Sequence, residues 1–129
     1  RPRADGFKGR RSGPTRGGSG HEVPVTLDVR YHPEALAELR ADVSWYDDRG
    51  AGLGERFEAA VDVVVDTVLE WPESGAVWPG WASIPVVRSL RVASFPYRLV
   101  YLVLPGELVV VALAHDKRAP GYWRDRVSA

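Results

Sequence analysis

The residues best suited to chemistry lie near the end of the chain, which reads ALAHDKRAPGYWRDRV over residues 112–127. His115 carries a ring whose ordinary pKa of about 6.5 lets it give or take a proton near neutrality. Lys117 and Arg118 follow at once, and Tyr122, Trp123, Arg124 and Arg126 come next. Upstream, Arg88, Arg91 and Arg98 add three guanidinium groups, which meet phosphate bidentately and never lose their charge. Three uses fit this set: a catalytic surface for a phosphodiester, a docking surface for an acidic partner, or a polar edge. Metal-free RNA cleavage needs a base for the 2′-hydroxyl, cations for charge building on phosphate, and an acid for the leaving oxygen. Each residue also has a plainer use. His115 at a strand end can be a hydrogen-bonding cap, Lys117 and Arg118 solvated turn residues, and Arg98 the partner of a helix carboxylate. Tyr122 and Trp123 can stack on a base or grip a protein, or Trp123 can pack a terminal helix on a sheet.

The rest of the composition narrows the chemistry. There is no cysteine among the 129 residues, which excludes disulfides, thiolate catalysis and Cys-based zinc sites. His21, His32 and His115 lack ligand spacing, so neither metal nor other cofactor is expected. Apolar runs such as LVYLVL and LVVVALA fall well short of the roughly 20 residues that span a bilayer. With no charged-then-apolar leader at the start of the chain, a cytoplasmic protein without membrane contact is expected. The formal net charge is zero but segregated. Residues 1–21 hold six basic side chains against one acidic, residues 22–73 four against thirteen, and residues 88–129 seven against three. The basic end should favour anions, whereas the acidic helices read as solvated surface.

The elements that must position these groups follow from periodicity. Residues 1–22, rich in Gly and Arg, are expected to be a disordered basic tail, leaving residues 23–129 as one domain. VTLDVRY alternates, with Val25, Leu27, Val29 and Tyr31 on one face of a strand. His32-Pro33-Glu34 opens a helix whose apolar face is Leu36, Leu39, Val43 and Tyr46, stopping near Gly50 in a left-handed position. A second helix from Leu53 to Trp71 buries Leu53, Phe57, Ala60, Val61, Val64 and Val68, and Pro72 ends it. The two form an antiparallel hairpin. ESGAVWPGWASIP reads as loop, with one of Trp78 and Trp81 closing the core and the other free for a partner, while Trp45 and Trp71 read as core or hairpin contacts. Three antiparallel strands follow at about 86–93, 97–104 and 108–114, turning at Phe95-Pro96 and Pro105-Gly106. LVVVALA lacks alternation, the mark of a strand covered on both faces. A short helix is expected after Pro120. The fold class is α+β, ordered β-α-α-β-β-β, and the meander is expected to gather its arginines into a concave cationic patch braced by the acidic helices.

That order resembles the RelE/ParE superfamily of toxins from bacterial type II toxin-antitoxin modules, closest to its ParE-like branch. The likeness is carried by PEALAELRADVSWYDDRGAGLGERF, FPYRLVYLV and AHDKRAPGYWRDR, and covers about residues 25–127. It implies a growth-inhibiting toxin of the kind linked to plasmid stabilisation, held inactive by a cognate antitoxin. In ParE-like members the implied target is DNA gyrase, inhibited by binding. In RelE-like members it is mRNA on the translating ribosome, cut by an endoribonuclease. Under the second reading Arg98 matches a phosphate-binding arginine, with Arg91, His115 and Lys117 as further catalytic candidates. Two departures count against cleavage. Asp116 and Lys117 fall where the comparable ribonuclease has a C-terminal histidine-tyrosine pair, with His115 one place early, and WPGWASIP offers no glutamate as general base. The expectation is therefore a docking surface for target or antitoxin, formed by Arg88, Arg118, Tyr122, Trp123, Arg124, Trp78 and Trp81. The antitoxin is expected to pack an apolar helix or strand on the hairpin or sheet edge, with carboxylates toward Arg88, Arg91 and Arg118.

Overall fold

The computed structural model describes residues 27–127; the basic tail and Val25 lie outside them. The chain forms β1 (Asp28–Tyr31), α1 (Pro33–Arg49), α2 (Leu53–Glu70), β2 (Ala76–Val77), β3 (Arg88–Arg91), β4 (Tyr97–Leu104), β5 (Glu107–His115) and α3 (Arg124–Val127). The helix boundaries follow local chemistry. His32 caps α1, its Nδ1 accepting from the Glu34 N–H at 3.1 Å, and Pro33 sits where a missing N–H costs nothing. Gly50 is extended rather than left-handed. The left-handed residue is Gly52, which opens α2. Two residues later the helices come so close that a Cβ on Gly54 would lie 2.5 Å from the Val43 carbonyl; its N–H donates to Asp47 Oδ1 at 2.9 Å.

The strands make one five-stranded sheet ordered β1-β5-β4-β3-β2. Strands β3, β4 and β5 form the expected antiparallel meander, but the sheet as a whole is mixed, because β1 lies parallel to β5. The long helical crossover after β1 makes parallel pairing possible. The two-residue β2 falls where the sequence reads as loop, and the expected third-from-last strand is shorter, because Val86 and Ala93 lie outside the β3 ladder. Strand β5 is bulged between Val110 and Ala112, which face Tyr101 and Val100 respectively. Its residues 108–113 are all buried, as the missing alternation predicts.

Two cores result, one on each side of the sheet. The hairpin covers the first, where Phe57, Val61, Val65 and Val68 meet Leu99, Tyr101, Leu108 and Leu113. Tyr46, Phe57, Phe95 and Tyr97 pack ring on ring there, at centroid distances of 4.8–6.4 Å. The second core holds Val87, Val100, Leu102, Val109, Val111 and Ala112, and the chain's end straps across it with Trp123. Trp45 and Trp71 belong to neither: they are 49% and 65% exposed. Trp45 neighbours the core-facing Tyr46 on the same helix, so it turns outward beneath Arg49, whose Cζ lies 3.7 Å over the ring. Trp71 caps α2 beyond its buried stripe. No helix among the described residues is long and apolar enough to cross a membrane.

The edge of β5 is closed unusually. Strand β1 pairs only as far as Val110, and β5 runs on. Beyond that point the Val111 carbonyl accepts from Arg126 Nη1 at 3.0 Å, and the Leu113 N–H donates to Glu38 Oε1 at 3.0 Å. Glu38 and Arg126 then bind one another twice, at 3.1 and 2.9 Å, with only 15% and 9% of their side chains exposed. An acid from α1 and a base from α3 thus do for two backbone groups what a neighbouring strand would do. Removing one partner of such a buried pair strands a charge: Arg126→Met is expected to cost about 3 kcal/mol in chemical denaturation. The double variant Glu38→Leu/Arg126→Met should stay about 2 kcal/mol below the parent, because the two β5 backbone groups remain unpaired. Full recovery in the double variant would reduce the pair to an ordinary ion pair.

Candidate functional site

Side-chain direction in the sheet sorts the candidates into separate groups. Arg98 on β4 lies opposite Arg91 on β3 and Ala114 on β5. All three point to the strap side, since their neighbours Leu99, Leu90 and Leu113 face the helices. Arg98 is half-buried and donates to the buried Ser89 hydroxyl at 3.3 Å. Arg91 is exposed and grips Asp116 with both nitrogens, at 3.0 and 3.4 Å. That hydrogen bond holds the Asp116 carboxyl below its ordinary range. Arg88 points the other way. It sits across from Tyr101 on the helix side and donates to the Gly75 and Glu73 carbonyls beyond the end of α2, at 2.9 and 3.5 Å. The three arginines therefore do not share a patch.

His115 also lies on the helix side, edge-on to Tyr97 with centroids 4.9 Å apart. Its Nδ1 accepts the Lys117 N–H at 3.0 Å, so the ring caps the turn after β5. His115 and Arg98 thus occupy opposite sides of the sheet. Lys117, Arg118 and Arg124 are exposed on the strap. Trp123, by contrast, is 1% exposed and packs on the sheet. Trp78 stands edge-on to it at 5.0 Å and Trp81 leans on it at 5.8 Å. Both loop indoles are half-buried in this second core, so the division into one core and one free indole does not hold. The Trp81 N–H is taken by the Pro85 carbonyl at 3.0 Å.

The groups that sequence reasoning passed over lie on α1. Glu34, Glu38 and Asp42 recur at a spacing of four; Glu38 turns to the strap and Asp42 to Tyr97, both half-buried, while Glu34 stays 68% exposed beside Arg126. Glu38 accepts from the Tyr122 hydroxyl at 2.8 Å and from Arg126, and lies 3.9 Å from Arg118. Glu34 stands 3.4 Å from Arg126. Arg118 in turn stacks on Tyr122, its Cζ 3.8 Å from the ring centre. Burial pushes the Tyr122 hydroxyl well above its usual range, and its bond to Glu38 adds to this. The available signal was the repeat Glu34, Glu38, Asp42 on one helical face, matched to a basic segment 80 residues on, which no local rule connects.

Asp42 is partly desolvated, which raises its pKa despite the Tyr97 hydrogen bond and the nearby His115 and Arg118. A raised carboxyl favours the neutral form in the fold, so its charge opposes folding above the folded-state pKa and the penalty vanishes as pH falls below it. Asn mimics the neutral acid. Asp42→Asn should melt higher than the parent at pH 7 and equal it near pH 3; a lower melting point at pH 7 would contradict the desolvation account.

Among the described residues no group of three His, Asp or Glu side chains could hold a metal ion. What the strap presents is an exposed basic rim, Lys117, Arg118 and Arg124, on a rigid aromatic base. Comparison with known proteins gives this arrangement a context. A chain of the chromosomal ParDE TA system from P. aeruginosa has a similar fold, with a TM-score of 0.51 at 22% identity, over 69% of this chain and 95% of that one. Comparison with curated proteins returns no match. A family model described as the ParE toxin of the type II toxin-antitoxin system parDE matches residues 29–120, from β1 through the turn that follows β5. With both helices, the meander and the His115 turn inside that match, this chain belongs to the ParE family of type II toxins.

Proposed function

We propose that this toxin acts by docking on DNA gyrase rather than by cutting mRNA. The observation that carries this reading is the separation of the would-be catalytic groups. His115 stands on the helix side of the sheet with Nδ1 committed to a turn, while Arg98 and Arg91 stand on the other side and Arg91 is tied to Asp116. A metal-free ribonuclease needs base, cation and acid around one phosphate. These residues are not so arranged. The docking reading rests instead on the rim of Lys117, Arg118 and Arg124, displayed on a strap that a buried tryptophan and a buried ion pair hold still. Preorganised cations of this kind give orientation and fast encounter with an acidic protein surface.

The antitoxin, the partner implied by membership in a toxin-antitoxin family, would use part of the same surface. Arg88 is spent on carbonyls behind the sheet, so the antitoxin's carboxylates are expected to meet Lys117, Arg118 and Arg124.

Purified toxin added to a gyrase supercoiling assay should abolish supercoiling or trap cleaved DNA, and should leave mRNA in a translating extract intact. Codon-linked cuts in the mRNA with gyrase unaffected would overturn the assignment. Replacing Lys117, Arg118 and Arg124 together by alanine should weaken inhibition by about tenfold, since each exposed charge pair contributes at most about 1 kcal/mol. Arg98→Ala, away from the rim, should change it by less than about threefold.

A further inference from the structure

The docking surface has an organiser that carries no positive charge and lies outside the surface itself. Glu38 is the group on α1 where three side chains of the strap, Arg118, Tyr122 and Arg126, converge. Its Oε1 accepts from the Leu113 N–H and from Arg126 Nη1. Its Oε2 accepts from the Tyr122 hydroxyl and from Arg126 Nη2, with Arg118 Nη1 3.9 Å away. The carboxylate is thus filled on both oxygens by an element of the sheet, an aromatic of the strap and the strap's last arginine. Arg118 gains its pose second-hand. Its Cζ lies 3.8 Å over the Tyr122 ring, and that ring is fixed at its far end by Glu38. The Arg118 side chain stays 52% exposed, held in place yet open to a partner.

We infer that Glu38 is a positioning residue: its carboxylate sets the outward pose of Tyr122, Arg118 and the rim beside them, so that the partner-contacting surface exists only while the strap is anchored to α1. This deepens the docking reading and rests on it. The physical reason is one of pre-organisation. An eight-residue loop and a four-residue helix between His115 and the end of the described chain are too short to hold a shape through their own hydrogen bonds. The pose must be imposed by tertiary contacts. Trp123 fixes where the strap lies on the sheet, while Glu38 fixes which way its basic face turns. If the anchor is lost, the loop and its arginines lose their common pose, and the ordering cost falls on the partner at the moment of binding.

The test uses the full chain and two readouts. One is growth arrest on induction without antitoxin, which does not presuppose the target. The other is tryptic cleavage of the purified toxin after Lys117, Arg118 and Arg124, which reports opening of the strap. Glu38→Gln removes the charge and keeps the size; Tyr122→Phe removes one hydroxyl and no charge, and carries the same test should Glu38→Gln fail to fold. Both are expected to speed cleavage within residues 117–124 by about tenfold, in line with loss of a hydrogen bond to a charged group. Both should also need several-fold more toxin for the same arrest, although neither substitution removes a cation of the rim. Arg118→Ala is the control, expected to weaken arrest without speeding cleavage at Lys117 or Arg124. Faster cleavage with undiminished arrest in either variant, while Arg118→Ala still weakens it, would overturn the positioning role alone. Weaker arrest without faster cleavage would overturn it too. Undiminished arrest in Arg118→Ala and in the triple rim variant would instead overturn the docking surface on which the inference stands.

Discussion

A sheet strand that outruns its neighbour leaves backbone donors and acceptors facing nothing, and the arrangement of this protein turns on how that is answered at β5. The strand must be long, because it pairs with all of β4, and β1 must be short, because the chain leaves it to form α1. The buried stretch beyond Val110, with no strand beside it, would cost free energy for each unpaired group. Glu38 and Arg126 supply the missing acceptor and donor. In doing so they tie the first helix to the last, and through Trp123 they commit the chain's end to the second face of the sheet. One edge defect thus accounts for the strap, its fixed path and the buried ion pair.

The segregation of charge along the chain is partly resolved by the same contacts. The acidic middle and the basic end are in part used on one another: Arg126 with Glu38 and Glu34, Arg118 near Glu38. Arg91 is held by Asp116 within the basic end itself, and Arg30 by Glu107 across β1 and β5. The expected concave patch of arginines braced by acidic helices does not form, since the acids reach through to the bases and Arg88 faces away. What survives as displayed charge is a short rim, Lys117, Arg118 and Arg124. A small cationic rim with aromatics beneath it suits recognition of a protein surface better than the tracking of a phosphate backbone, which uses an extended cationic groove.

Alternation along β4 and β5 decides the remaining chemistry. Tyr97 and Arg98 are neighbours in sequence but face opposite layers, and their partners His115 and Ala114 do likewise. A histidine at a strand end and an arginine one strand away look adjacent in a list of residues. In the sheet, a single step of register puts the layer of backbone between them. His115 joins Tyr97 and Asp42 beneath α1, in a setting whose hydrogen bonds shape the turn.

Much of this was legible in the residues themselves. Proline after His32, the apolar stripe from Phe57 to Val68, proline at 72, the turns at Phe95-Pro96 and Pro105-Gly106 and the unbroken LVVVALA are local signals. They determined two helices, a meander and a strand buried on both sides, because helix caps, periodicity and turns act over a few residues. Tertiary structure alone decided that β1 lies parallel to β5, that Ala76–Val77 adds a fifth strand, that Trp123 is core, and that Glu38 faces the strap while Asp42 faces Tyr97. Those outcomes depend on groups 11 to 88 residues apart meeting in space, and on which face of a sheet each side chain leaves from. Charge and residue type are properties of the sequence; whether a charge is displayed or consumed is a property of its neighbours.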